Sequence, residues 1–407
     1  MTNKKILVVS HQFLPHVSPR TTRWKLLIEQ LVNQGNEVTV LTGTNPNDIA
    51  KKYNILYFGN KNISSAVNTL RIDSNNVENS LIKKKFYNLL KKIYRMIFKS
   101  LAWPDYAMFW IFTVIKNKSK IPKDFDIIIS VSLPFTSHVC ASILQKSMSS
   151  KWFMDIGDPF SLKDKSFENN RFLYSLLNSY CEKKYYRAAD KVIFTHKEAS
   201  EIHIKKFKIH SSKIVIGHPI SLIDPYFIDS SSKFKYNALP IKIGYFGIFT
   251  DGVRDPYNYL NTVASSFKSK IHHYWYINDE SKKYFSALEN LNTHTFKTMI
   301  LREDAIKEMI NNFHILLSIG NKNTYQLPSK VIEYISLGKP VLHYAEILSD
   351  PMYRFETLFK NLKIIDKNTD ENDILKFLKI FQSNQVEFNY KEFENNFSPK
   401  HIIDNLV

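Results

Sequence analysis

The chain has 407 residues, 44% of them hydrophobic and 23% charged, the make-up of a globular protein with room for two cores. Its two cysteines, Cys140 and Cys181, exclude a disulfide framework and a cysteine metal site. The net charge of +18 asks for an anionic partner or surface. No apolar run approaches the ~18 residues that span a bilayer, and the N-terminus shows no signal-peptide pattern, so the expected compartment is the cytoplasm.

A first strand is expected over 6–10. It leads into His11-Gln12-Phe13-Leu14-Pro15-His16-Val17-Ser18-Pro19-Arg20, then a helix from about Thr21. Trp24, Leu27, Ile28 and Leu31 mark that helix's buried face and Gly35 its stop. Further strands are expected over 37–41, 125–131, 151–155, 191–195 and 213–216. Between the second and third, residues 83–99 hold seven Lys or Arg and no acid. Phe86, Leu89, Leu90, Ile93 and Ile97 interleave with them at helical spacing. Such a helix fits an anionic membrane surface or a core-packed helix with a lysine-rich outer face. No nucleic-acid module accompanies the charge.

Ser132 to His138 follow the strand at 125–131, and His138 reads as a packing or surface residue. The strand at 151–155 ends in Asp155-Ile156-Gly157-Asp158-Pro159-Phe160. Its two carboxylates can orient acceptor hydroxyls, take up a proton, or cap loop N–H groups. Asp158 is the better catalytic candidate, while Asp155 suits capping. Arg20, near a helix N-terminus, either holds a phosphate or an acceptor or pins its own loop; His16 is a lone histidine with an ordinary structural use.

The stretch 221–240, rich in Ser, Asp, Pro and Lys, reads as a linker. After it the pattern restarts, with strands expected over 241–246, 273–277, 313–318, 341–343 and 363–365. Gly244 to Pro256 form the first loop of this half; Arg254 there can meet a phosphate or pair with Asp251 or Asp255. The segment 326–341 carries a short helix with both ends written locally. Pro328 is expected in its first turn, and Gly338 just past its end, before Pro340. Val331, Ile332 and Ile335 form its apolar face, with Lys330 and Glu333 off it. A cation in the first turn opposes the helix dipole, a cost that makes sense if an anion arrives. Only ten glycines exist, and none are spaced as G-x-G-x-x-G or as a P-loop. A dinucleotide-binding dehydrogenase and a P-loop NTPase are excluded on that ground.

Pro328-Ser329-Lys330, then Glu333-Tyr334 and Gly338-Lys339-Pro340-Val341, resemble the donor-binding helix of the GT-B glycosyltransferases, family 4. Ser18-Pro19-Arg20 and Trp152-x-x-Asp155-x-x-Asp158-Pro159 resemble its bacterial surface-polysaccharide sub-branch (capsule and O-antigen). The resemblance implies an α/β chain of two Rossmann-like, doubly wound parallel-sheet domains facing a central cleft. Their expected extents are 1–220 for acceptor, 221–240 as linker, 241–384 for the nucleotide sugar, and a helix in 385–407 crossing back. It implies a retaining, metal-independent transferase using a nucleoside-diphosphate sugar and no cofactor, and no nucleic acid. Implied donor residues are Gly247, Arg254, Gln326, Ser329, Lys330 and Glu333. Implied acceptor residues are His16, Arg20 and Ser132, with Asp158 catalytic. The acceptor would be a saccharide, polyprenyl-diphosphate-linked, reached at the inner membrane face through the basic helix at 83–99. Tyr325, Ile248 and Ser132 depart from the family pattern, which leaves a nucleotide-sugar 2-epimerase and a non-catalytic assembly subunit as rival readings.

Overall fold

The computed structural model describes residues 3–16, 18–46, 52–59, 101–163, 168–221, 240–265, 271–286, 291–383 and 388–407. The basic stretch 83–99 and nearly all of the expected linker lie outside them. The chain divides into two compact units: Met1–Gly217 with Ile403–Val407, and His218–Ile402.

In the first unit, the described strands are β1 (Lys5–Val9), β2 (Glu37–Thr42), β3 (Asn54–Tyr57), β4 (Ile127–Val131), β5 (Lys151–Ile156), β6 (Lys191–Phe194) and β7 (Ile214–Ile216). They pair in parallel in the order β3-β2-β1-β4-β5-β6-β7. Ile6 to Val9 and Ile127 to Val131 are buried throughout, because helices cover both faces of a parallel sheet. Those helices include α1 (Pro19–Asn33), α2 (Phe109–Asn117), α3 (Thr136–Gln145), α4 (Arg171–Ala188) and α5 (Lys197–Phe207). Helix α1 starts two residues earlier than expected, with the Ser18 hydroxyl accepting from the Thr21 N–H and Pro19 in the first turn. Its predicted face is buried, and Gly35 takes φ 86° just beyond its end.

In the second unit, the strands are β8 (Ile241–Phe246), β9 (Ile271–Ile277), β10 (His294–Thr298), β11 (Ile315–Ile319), β12 (Val341–Tyr344) and β13 (Leu362–Ile365). Their order is β10-β9-β8-β11-β12-β13, again parallel. Neighbouring residues alternate between two cores. Ile243, Tyr245, Trp275, Leu317 and Leu342 face one, with Tyr259, Phe285, Ile374 and Leu378. Phe246, Tyr276, Leu316 and Val341 face the other, with Met309 of α6 (Arg302–Asn312) and Val331, Ile332, Tyr334 and Ile335 of α7 (Ser329–Ser336). The chain then runs through α8 (Glu371–Ser383), α9 (Tyr390–Phe397) and α10 (Pro399–Leu406).

Both sheets are thus doubly wound. The expected strands are all present, and two edge strands, β3 and β10, were not expected. Each sheet reverses its winding once, between β1 and β4 and between β8 and β11. Ligands of open α/β sheets bind at the carboxyl ends of strands at such points.

Candidate functional site

At the β8/β11 switch point, two loops are tied together. The Lys322 N–H donates to the Val253 carbonyl (2.7 Å), and Lys322 Nζ pairs with buried Asp255 (2.6 Å). Asp251, the other acid of the first loop, is engaged by Lys283 (2.7 Å) and the Tyr284 hydroxyl. Thr250 and Arg254 close a small antiparallel bridge that sets the turn carrying Arg254. Gly247 lies at the strand's end, its N–H on the Tyr276 carbonyl (3.1 Å). A side chain there would press on the Tyr245 hydroxyl at 3.1 Å.

Helix α7 begins at Ser329, one residue later than expected. Pro328 is its N-cap position, with φ −64° and ψ 105°, a ring-compatible but extended conformation. Gly338 takes φ 67° as expected. Tyr334 completes the buried face, and its hydroxyl donates to the Phe246 carbonyl (3.1 Å) while accepting the Phe246 N–H (3.2 Å). That clamp fixes α7 to the end of β8, so the Gly247 loop and the start of α7 are held in one register. Gln326 is held in the preceding loop: its carbonyl accepts from Asn321 Nδ2 (2.7 Å) and its N–H donates to Asn323 Oδ1 (3.1 Å).

Lys330 is partly buried at the first turn of α7. Burial lowers its pKa; Glu333 acts against that, and Arg302 and Arg254 add to the lowering. Its charged neighbours are therefore one acid and two bases, at a helix end whose own dipole is positive. Glu333 meets Arg302 Nη2 at 2.7 Å, a close contact poorly angled for a hydrogen bond. Ser329 is exposed at the helix start. Sequence reasoning missed Arg302, Tyr334 and Glu346. Glu346 follows β12, accepts from Asn258 Nδ2 (2.6 Å), and is raised in pKa by burial. An acid directly after a strand end was the signal that could have found it.

At the β1/β4 switch point the residues are used differently. Asp155 is buried and meets Arg20 Nη1 at 3.0 Å, Arg23 Nη2 at 3.5 Å and Trp24 Nε1 at 2.7 Å. Burial pushes its carboxyl up, but Arg23, Arg20 and Trp24 outweigh that and hold the pKa below the usual range. The Arg20 guanidinium packs against Gly157, where a Cβ would fall 1.0 Å from Nη2. Arg20 therefore pins the β5 loop to α1. Ser132 is buried, and both its N–H and its hydroxyl donate to the Asp155 carbonyl at 3.1 Å. His138 is buried against the Ser130 hydroxyl (2.7 Å), its pKa lowered by burial to about 3. His16 and the partly exposed Asp158 remain on the surface of this edge. His11, not expected as a site residue, stands on Tyr106 and Trp110 edge to face; burial, with His16 adding, lowers its pKa to about 4.

No family model matches the sequence, and no curated protein does. Solved structures do match. HepE from Anabaena, in complex with UDP and glucose, superimposes with a TM-score of 0.58 at 10% identity, covering 99% of this chain and 98% of that one. Sucrose-phosphate synthase from Thermosynechococcus elongatus gives 0.58 at 11% identity, covering 99% and 95%. The lipopolysaccharide outer core galactosyltransferase WaaB gives 0.59 at 12% identity, covering 98% and 97%. This chain has the GT-B fold. At such identities the likeness carries the fold, and the chemistry has to come from the residues above. Among the described residues, no group of three or more His, Cys, Asp or Glu is arranged to hold a metal ion, and no helix is long and apolar enough to cross a membrane.

Proposed function

We propose that this chain is a retaining glycosyltransferase whose donor is a nucleoside-diphosphate sugar. The observation that carries the reading is the start of α7, at the β8/β11 switch point, where Lys330 lies half-buried, Arg302 reaches Glu333 of the same helix (2.7 Å) and Arg254 adds further positive charge. A diphosphate supplies anionic charge beyond the single carboxylate of Glu333, and relieves the burial cost of Lys330. Glu333, beside this cluster, is suited to the ribose hydroxyls, while Gly247, Gln326 and Ser329 line the approach.

In the reaction, the bond from the sugar's anomeric carbon to the diphosphate oxygen breaks. The acceptor oxygen bonds to that carbon on the same face, and the acceptor proton passes to the departing diphosphate. Charge grows on that leaving group, where Lys330 and Arg254 do the work a divalent ion does elsewhere. His16, Arg20 and Asp158 are the acceptor-side candidates, Arg20 through its partly exposed face beside Gly157. The net charge and the sequence of 83–99 support a lipid-linked saccharide acceptor at the inner face of a membrane, in surface-polysaccharide assembly.

The test is a thermal-shift screen against UDP, GDP, CMP and their sugar conjugates, with and without Mg2+. A ligand at 100 times its Kd adds about 2.7 kcal/mol, a few degrees at this size. One nucleotide should shift the midpoint without metal, and Glu333→Ala should abolish the shift. No response to any nucleotide sinks the donor site. An epimerised sugar formed from donor alone sinks the transfer reaction.

A further inference from the structure

Helix α4 turns an unusual face outward. Phe172 is 94% exposed, Leu176 86%, Tyr180 64%, Leu173 55% and Leu177 40%. At 100° per residue these five fall within one side of the helix. The same side continues through Lys183, Lys184 and Arg187 in the last turns. The single acid of α4, Glu182, points the other way: it is buried and accepts from Ser161 and from the Tyr186 hydroxyl (2.6 Å). The inner face is also held by Asn178, which accepts from Trp103 Nε1 (3.0 Å), and by Tyr174, whose hydroxyl donates to the Leu101 carbonyl (3.0 Å). The bond from Tyr174 ties the Leu101 backbone to α4, and Leu101 itself is 65% exposed. Contiguous exposed apolar surface of this kind marks a docking face rather than ordinary surface scatter.

We propose that this face of α4, with Leu101, rests on an anionic lipid bilayer. The argument is charge and pattern together. Three turns of large apolar side chains followed by three cations, with no carboxylate on the same side, suit insertion at the acyl boundary beside anionic headgroups. A second copy of the chain is a poorer partner. Pairing the helices in parallel sets base against base, and antiparallel pairing sets apolar turns against lysines. The chain also enters Leu101 from 83–99, whose sequence holds seven cations and no acid. The inference does not rest on the donor site, and stands or falls apart from it.

The experiment is co-sedimentation of the full chain with vesicles of phosphatidylcholine alone, or with 30% phosphatidylglycerol. The expected result is binding to the anionic vesicles, weakened by salt and reduced more than tenfold in Phe172→Ser/Leu176→Ser. Lys184→Glu/Arg187→Glu should lose the preference for phosphatidylglycerol. Nucleotide-induced thermal shifts, whatever they are for the wild type, should be unchanged in both variants. Equal vesicle binding by wild type and variants overturns the proposal. So does a dimer that becomes monomeric in the Ser variant with vesicle binding intact, which would make α4 a self-contact. A drop of many degrees in that variant's midpoint also overturns it, because the chain itself would then cover the face.

Discussion

At the β1/β4 switch point two arginines close on a buried aspartate, whereas at the β8/β11 switch point a half-buried lysine has two arginines and one glutamate for neighbours. The two sheets share one winding plan, yet their charges are spent in opposite ways. Arg20 and Arg23 tie α1 to the β5 loop, an internal fastening that leaves Asp155 ionised in the core. Lys330, Arg254 and Arg302 raise the potential at an open helix end. The same residue type at the same place in a fold is thus an internal fastening in one unit and, in the donor site we propose, a phosphate-facing cation in the other.

Breaking the first fastening should have the largest effect. Asp155→Ala takes the carboxylate from buried Arg23 and should cost about 3–5 kcal/mol, a fall on the order of 10 °C in the thermal midpoint. An unchanged midpoint would remove the contrast between the two sites. At the second site Lys330→Met should act the other way round. Nucleotide affinity should drop roughly 10- to 100-fold by isothermal titration, while the midpoint stays level or rises, since a lysine crowded by cations is relieved of its burial. A destabilised Lys330→Met protein with normal affinity would make Lys330 another fastening.

Acid sharpens the comparison within the first unit. Buried histidines there have folded pKa values below the ordinary one, His11 about 4 and His138 about 3, each from burial first. His294 of the second unit is likewise lowered to about 4. A group depressed in this way favours the folded state above its unfolded pKa of ~6.5 and loses that contribution as pH falls through the folded value. The thermal midpoint should therefore decline as pH falls from about 6.5 towards 5, before most carboxylates protonate, with Asp105, raised by burial to about 6, acting the other way; a flat profile over that interval would contradict it. The smallest effect is expected of Lys322→Met, which removes a half-exposed pair with Asp255 but leaves the backbone tie to Val253: about 1 kcal/mol, and a modest loss of nucleotide affinity through a looser loop.

Much of this was legible before the structure. The buried strands are continuous Ile, Val, Leu and Phe runs, so their periodicity announces them. The edge strands β3 and β10 escaped because they are half exposed: Asn54–Tyr57 is never fully buried, and His294–Thr298 holds a single apolar residue, Phe296, among polar ones. Helix α7 was readable because Gly338 and the Val331, Ile332 and Ile335 stripe act within a few residues of chain. Its start was misplaced by one residue, since Pro328 fits both the cap and the first turn.

The sequence alone determined the two α/β units, their buried strands and, to within one residue, the helix at 329–336, because hydrophobic period and end-capping are local. Tertiary structure decided what the charged residues do. Arg20 and Asp155 lie 135 residues apart and meet at 3.0 Å, and Arg302 reaches Glu333 from another helix. Tyr334 clamps Phe246 across 88 residues. Electrostatic roles depend on distance and burial in space, and neither is written in the neighbours along the chain.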